Sequence, residues 1–131
     1  MEKISEENMN HIDGLIYLTG SGLRVRSKSE RTITDALDQN KIIYRYEETL
    51  KLGNVIFHPD FTVYRPSDGK VFLWEHLGLM NQNEYRNKTI EKLSLYARYG
   101  FLPFDNMIFT FEQDLLNPAC IHSIIEVFLL Q

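Results

Sequence analysis

The hydrophobic and polar positions of the chain predict first a helix and then strands. Ser27-Lys28-Ser29-Glu30 has the form of a helix capping box, in which a serine begins a helix and a glutamate follows three residues later. The hydrophobic residues Ile33, Ala36 and Leu37 then recur at helical spacing. These features predict a helix that begins at Ser27 and ends near Gln39.

Three stretches after this helix are rich in β-branched and aromatic residues, which are typical of strands. They cover residues 41–50, 54–64 and 70–76. Gly53-Asn54 separates the first two stretches, and Pro66-Ser67-Asp68-Gly69 separates the second from the third. Both segments are typical turn sequences.

The C-terminal half predicts a helix, a strand and a further helix. Charged and apolar residues recur at helical spacing over 83–99, and Gly100 and Pro103 follow as terminators. Residues 106–111 form a short apolar run that suits a buried strand, and Asn117-Pro118 begins the last helix. The order α-β-β-β-α-β-α predicts an α/β sandwich, in which helices flank a mixed β-sheet.

The N-terminal residues 1–22 are less strongly patterned than the rest. Ile12, Leu15, Ile16 and Leu18 suit a short helix or an edge strand, and Gly20 to Gly22 then interrupt the pattern. We therefore assign 1–22 to an N-terminal extension, or to the end of an upstream region, and 23–131 to one domain.

Composition narrows the class of protein. The chain has 131 residues, of which 44% are hydrophobic, so it can build one ordinary core. It contains no apolar run of the roughly 20 residues that a membrane span requires, and its one cysteine excludes an internal disulfide. We expect a cytoplasmic protein without a membrane partner.

Two carboxylates are predicted to meet across the second turn. If Arg65 faces Lys70 across the four-residue turn, the same antiparallel register places Asp60 opposite Glu75. Side chains that face each other in this way have Cβ atoms about 4.5–5.5 Å apart, where like charges repel. A hard divalent cation such as Mg²⁺ would offset that repulsion.

Further candidates lie on the two helices that precede and follow these strands. Glu30 shares a helix face with Ile33 and Leu37, so its carboxylate is expected to point inward and to reach the same cation. The capping box alone would also explain a glutamate there. Lys88, Lys92 and Tyr96 form an i, i+4, i+8 stripe, and a lysine amine beside a phosphate would stabilise developing negative charge.

The distribution of charge gives conflicting indications about whether the protein binds nucleic acid. The net charge of -4 does not favour such binding, because proteins that bind phosphates tightly usually have a basic surface. Locally, however, basic residues crowd two segments, around Arg26 and Lys28 and around Lys88 and Lys92. We expect Arg26, Lys28 and Lys88, with Tyr96, to contact a substrate, although such clusters are more often solvated faces.

The motifs Ser27-Lys28-Ser29-Glu30, His58-Pro59-Asp60-Phe61, Trp74-Glu75-His76 and Lys92-Leu93-Ser94-Leu95-Tyr96 together resemble the PD-(D/E)xK nuclease superfamily. The resemblance covers about residues 24–112 and is closest to the RecB-type branch, in which a Gln-x-x-x-Tyr-like motif lies on the helix after the acidic strands. It implies a three-layer, restriction-endonuclease-like fold.

The resemblance also implies roles for individual residues. Asp60 and Glu75 would ligate Mg²⁺ or Mn²⁺, with the backbone carbonyl of His76 as a third ligand. Glu30 would support the metal directly or through a water molecule. The family's lysine belongs at the position of Leu77, so Lys92 is expected to replace it from the following helix, with Lys88 as the second choice.

These expectations define two hypotheses. The first is a metal-dependent endonuclease that hydrolyses phosphodiester bonds, with DNA favoured over RNA as the expected substrate and a homodimer as a possible form. The second is a catalytically inactive module of the same fold that holds nucleic acid or a protein partner. Zinc hydrolysis is disfavoured because His11, His58, His76 and His122 lack ligand spacing. Nucleotide binding is also disfavoured, because Gly20-Ser21-Gly22 lacks a following lysine–serine pair.

Overall fold

The computed structural model describes residues 14–131, so His11 and Ile12 of the sequence analysis lie outside the described residues. The described part is an α/β structure with a mixed sheet. Its helices are α1 (Lys28–Gln39), α2 (Asn83–Arg98) and α3 (Pro118–Leu129), with a 3₁₀ helix at Glu112–Leu115. Its strands are β1 (Tyr17–Leu18), β2 (Arg24–Val25), β3 (Ile43–Tyr46), β4 (Leu50–Leu52), β5 (Val55–Phe57), β6 (Phe61–Tyr64), β7 (Val71–Leu77) and β8 (Met107–Phe111).

The main sheet has the strand order β3-β6-β7-β8. β3, β6 and β7 are antiparallel neighbours, whereas β8 runs parallel to β7. A parallel neighbour requires a crossover connection, which here contains α2. This topology confirms the predicted mixed sheet flanked by helices.

The register across the β6–β7 hairpin is the predicted one. Tyr64 pairs with Val71 and Phe61 pairs with Trp74, and the backbone N–H of Arg65 donates to the Lys70 carbonyl at 2.9 Å. Asp68 stabilises the turn, because its carboxylate accepts hydrogen bonds from the Arg65 guanidinium at 2.7 and 2.9 Å. One further step along this register brings Asp60 beside Glu75.

Two of the predicted strands are each broken in two. The stretch 41–50 divides because Glu47 has a φ of 51°, a left-handed conformation that ends β3. The stretch 54–64 divides at His58-Pro59-Asp60, where proline has no N–H to donate to a ladder. The pieces β4 and β5 pair with each other in a separate hairpin around the predicted Gly53-Asn54 turn.

Helices cover both faces of the main sheet. On one face, α1 and α3 pack on β6 and β7 in a cluster of buried residues that includes Ile33, Leu37, Phe61, Trp74 and Ile125. On the other face, Tyr96 of α2 joins a second cluster with the buried residues Phe57, Leu73 and Met107. Alternate residues of β7 therefore face different helices, which places Trp74 and Glu75 on opposite sides.

The described part of the predicted extension contacts the domain. β1 pairs with β2, and Leu15 and Tyr17 pack against the first cluster. The division of the chain at residue 23 stays a prediction. Within residues 14–131, none of the helices has the length and apolar character to cross a bilayer.

Replacing Leu37 by alanine should lower the free energy of unfolding by about 2–5 kcal/mol, because the side chain is fully buried beneath the sheet. Leu116→Ala is the matched control, since Leu116 is 84% exposed, and it should change stability by less than about 0.5 kcal/mol. Urea denaturation of both variants measures the difference. Equal effects of the two substitutions would contradict the assigned core.

Candidate functional site

Asp60 and Glu75 form the centre of the candidate site. Asp60 immediately precedes β6, and Glu75 lies within β7 with no exposed surface. The Asp60 Oδ2 atom accepts a hydrogen bond from the backbone N–H of His76, the residue after Glu75, at 2.7 Å, and the charge of Glu75 acts on the Asp60 carboxylate. The two acids are thus held together by the backbone of the strand pair, as the register predicts.

Lys92 and Tyr96 of α2 hold the Glu75 carboxylate from the opposite side. The Lys92 Nζ atom lies 3.1 Å from Glu75 Oε1 and 3.3 Å from Oε2. The Tyr96 hydroxyl donates to Oε1 at 3.2 Å. Lys92 therefore reaches Glu75 from the following helix, and its role as a replacement for a lysine at position 77 stays a prediction. Tyr96 is fully buried and is therefore not accessible to a substrate. The prediction that it contacts substrate is wrong, and its partner is Glu75.

Glu30 lies on α1, and its charge acts on the Asp60 carboxylate. Ser27 is the N-cap of that helix and its hydroxyl accepts from the Glu30 backbone N–H at 3.1 Å, as the capping box predicts. The Glu30 side chain is 7% exposed, and its Oε1 accepts a hydrogen bond from the Tyr46 hydroxyl at 2.9 Å. The carboxylate therefore points inward, as its helix position predicts.

Burial makes all three acids costly to ionise, and the neighbouring carboxylates add to this cost at Asp60. Burial, then the charges of Glu75 and Glu30, raise the pKa of Asp60 well above its ordinary value. Burial also raises the pKa of Glu75, although Lys92 opposes the shift, and it raises that of Glu30 against the hydrogen bond from Tyr46. The site carries more negative charge than Lys92 alone compensates.

Lys92 differs from the three acids, because its surroundings favour the charged form of its side chain. Burial disfavours its charged form, but the carboxylates of Glu75 and Asp60 outweigh burial and raise the pKa of the ammonium. Lys92 is therefore a cation at neutral pH and donates hydrogen bonds. It cannot serve as a general base in this arrangement.

The donor set fits one particular kind of metal ion. Carboxylate oxygens suit hard cations, and Mg²⁺ is commonly bound by one or two carboxylates, with waters and substrate oxygens as further ligands. Among residues 14–131, no three His, Cys, Asp or Glu side chains form a ready-made metal cluster. An ion here would therefore rest on Asp60 and Glu75, with the His76 carbonyl as the candidate third ligand.

The predicted stripe on α2 is only partly correct. Lys88 lies 3.4 Å from Glu84 and its side chain is 75% exposed, so it faces solvent. At about 100° per residue, the face that carries Lys92 and Tyr96 continues through Thr89 and Tyr85. Thr89 is buried, in agreement with this geometry.

The two remaining candidates lie at the beginning of α1. Arg26 is half-buried, and its Nε atom forms an ion pair of 2.6 Å with Glu47 Oε2, so the structure gives it an internal partner. Lys28 is exposed at the first residue of the helix. Of the four residues expected to contact substrate, Lys28 and Lys88 have exposed side chains.

Sequence reasoning missed several residues around the acids. Tyr44 and Tyr46 lie two positions apart on β3 and share one face of the strand, so alternation could have marked both as inward-facing. Tyr85 lies seven positions before Lys92, on the same helix face, and the charges of Asp60, Lys92 and Glu75 act on its half-buried hydroxyl. The ring of His76 contacts Thr110 of β8 and Glu112 directly after β8. No pattern in the sequence indicates these contacts.

Comparison of the chain with protein-family models gave no match. Comparison with curated proteins and with solved structures gave no significant match either.

The excess of negative charge predicts how stability depends on pH. A folded-state pKa above the unfolded value means that the folded protein binds more protons, so stability falls as pH rises. Without divalent metal, the free energy of unfolding should therefore increase as pH is lowered from 8 towards 5. Asp60→Asn should be more stable than the wild type at pH 8 and should show a weaker dependence on pH.

Urea denaturation in EDTA at several pH values checks this prediction. Asp105→Asn is the matched control, because Asp105 lies on the surface and pairs with Lys70. Acids whose pKa is lowered, such as Asp68 and Glu112, lose their stabilising effect only below about pH 4, outside this range. A pH dependence in Asp60→Asn identical to that of Asp105→Asn would show that Asp60 is not under electrostatic strain.

Proposed function

We propose that this protein is a metal-dependent nuclease that hydrolyses phosphodiester bonds of DNA. The observation that carries the proposal is that Asp60, directly before β6, is held by the backbone N–H that follows Glu75 of β7, while Lys92 lies against Glu75. Two acids and one lysine that converge from separate elements are the groups that phosphodiester hydrolysis requires.

The order of elements also supports a restriction-endonuclease-like fold. A helix bearing Glu30 is followed by an antiparallel hairpin that bears Asp60 and Glu75, then by α2 and the parallel strand β8. Helices lie on both faces of this sheet, as in a three-layer sandwich. This arrangement is the one that the sequence motifs implied for the superfamily.

Each group has a defined task in the proposed reaction. When bound, Mg²⁺ or Mn²⁺ would polarise the scissile phosphate and make a nearby water more acidic. Asp60 and Glu75 would hold the ion, and Glu30 would orient a water beside it. The ammonium of Lys92, which is 36% exposed, would donate to a phosphate oxygen as negative charge develops there.

The basic side chains near the site would contact the substrate backbone. Lys28, at the first residue of α1, and Lys88, on α2, are exposed and available to phosphate groups. With a net charge of -4, affinity would come from these local contacts and from the ion. A homodimer would present two such sites to the two strands of a duplex.

The second candidate is an inactive module that binds nucleic acid or a protein partner through the same fold. One observation favours it: Lys92 lies within 3.1–3.3 Å of both Glu75 oxygens and already compensates that carboxylate. In such a module, the ion pair would replace the metal, and Asp60 would take up a proton.

Cleavage of supercoiled plasmid separates the two candidates. The wild-type protein should nick DNA with Mn²⁺ or Mg²⁺ and not in EDTA, and Asp60→Asn and Glu75→Gln should reduce cleavage to background. Lys92→Met should lower the rate by about 10²–10³-fold, the usual cost of removing one group that stabilises transition-state charge.

Lys51→Met is the matched control for Lys92→Met, because it removes a lysine amine from an exposed position on β4 to which the proposal gives no role. Its rate should stay within about threefold of the wild type, with any loss in substrate affinity. Absence of metal-dependent cleavage in the wild type, or cleavage that survives Asp60→Asn, would overturn the nuclease proposal.

A further inference from the structure

The ring of His76 is held at both nitrogens on the side of β7 opposite Glu75. Its Nδ1 atom lies 2.9 Å from the Thr110 hydroxyl oxygen, and its Nε2 atom lies 3.1 Å from Glu112 Oε1. The residue is only 7% exposed. These contacts tie β7 to the end of β8 and to the 3₁₀ helix that follows it.

The partners of the ring accommodate one neutral tautomer of His76. The indole N–H of Trp74 can only donate, so the Thr110 oxygen accepts from it at 3.1 Å. The hydrogen bond from His76 lowers the pKa of Glu112, so its carboxylate is ionised and accepts. A neutral ring satisfies every partner when Thr110 donates to Nδ1 and Nε2–H donates to Glu112.

Glu112 also connects this network to the helix that bears Glu30. The hydroxyl of Ser29, the residue before Glu30, donates to the two Glu112 oxygens at 3.0 and 3.1 Å. Gly78 leaves room for this carboxylate, because a Cβ atom there would make a close contact of 3.0 Å with Glu112 Oε1. One carboxylate on the surface therefore links α1 to β7.

The same histidine holds Asp60 through its backbone. The His76 N–H donates to Asp60 Oδ2 at 2.7 Å, and the His76 carbonyl is the candidate third ligand of the proposed ion. A displacement of this peptide would move both groups. The ring contacts on the far face of the strand thus restrain the atoms that shape the site.

We propose that the hydrogen bond between Glu112 and His76 is a positioning contact that fixes the His76 peptide, and through it the Asp60 carboxylate, in the geometry that binds a divalent ion. Neither side chain touches the substrate. The predicted effect on ion binding rests on the proposed function. The restraint on the His76 peptide can be tested whether or not the protein is a nuclease.

Glu112→Ala removes the contact and should leave the fold intact, since the Glu112 side chain is 58% exposed. Glu112→Gln keeps an oxygen that can accept from His76 Nε2–H and should restore most of the effect. Glu126→Ala is the control, because Glu126 is an exposed acid on α3. Equal melting temperatures within a few degrees would show that the variants are folded.

Two readouts distinguish positioning from a structural role. The first is the backbone amide resonance of His76 in metal-free protein, which reports its hydrogen bond to Asp60. The chemical shift of this resonance should change in Glu112→Ala and should not change in Glu126→Ala. The second is Mn²⁺ affinity by calorimetry, which should fall by about 10-fold or more in Glu112→Ala, as for other groups that orient metal ligands.

The outcomes separate this inference from the proposed function. If the wild-type protein takes up no Mn²⁺, the proposed function fails and the amide resonance alone decides the positioning role. If Glu112→Ala matches Glu126→Ala in the His76 amide resonance, the inference is overturned, whether or not the protein cleaves DNA. If wild-type protein binds Mn²⁺ and Glu112→Ala binds it equally well, the claim that the Glu112–His76 contact strengthens ion binding is overturned.

Discussion

The opposition of Asp60 and Glu75 across two antiparallel strands is the constraint on which the rest of the site depends. Like charges in this arrangement repel, and burial increases the cost. The four-residue turn at Pro66–Gly69 sets the register that forces them together. The surrounding groups, Lys92 and Tyr96 on one side and the His76 peptide on the other, follow from the need to compensate two neighbouring carboxylates.

Such an arrangement opposes stability and is therefore typical of functional sites. A fold selected only for stability would place hydrophobic residues at the positions of Asp60 and Glu75, since Leu73 and Met107 already form a buried cluster on that face. The hydrophobic clusters on both faces of the sheet offset the electrostatic cost. The same reasoning explains why Tyr46 and Tyr96 are buried with their hydroxyls on Glu30 and Glu75.

Much of this geometry could be predicted because it depends on local rules. The length of the turn determines the register of β6 and β7, and helix periodicity determines that Glu30 points inward. Lys92 became a candidate because the resemblance implied that a lysine absent from position 77 could lie on the next helix, and that role stays a prediction. Its exact partner, Glu75, then followed from the packing of α2 on the sheet.

The remaining features depend on tertiary structure and could not be predicted. The left-handed conformation of Glu47 breaks a stretch whose composition favours one continuous strand. Arg26 pairs with Glu47, 21 positions away, and this distant ion pair is invisible to patterns of local charge. Glu112 meets His76 only because the 3₁₀ helix after β8 lies beside the end of β7.

The most direct test of the central claim is the anomalous scattering of Mn²⁺ in crystals soaked with the ion near neutral pH. The account predicts a peak within coordination distance of a carboxylate oxygen of Asp60 and one of Glu75, lost in crystals of Asp60→Asn. A saturating soak that leaves this position without a peak, or that places the ion on other residues, would contradict it.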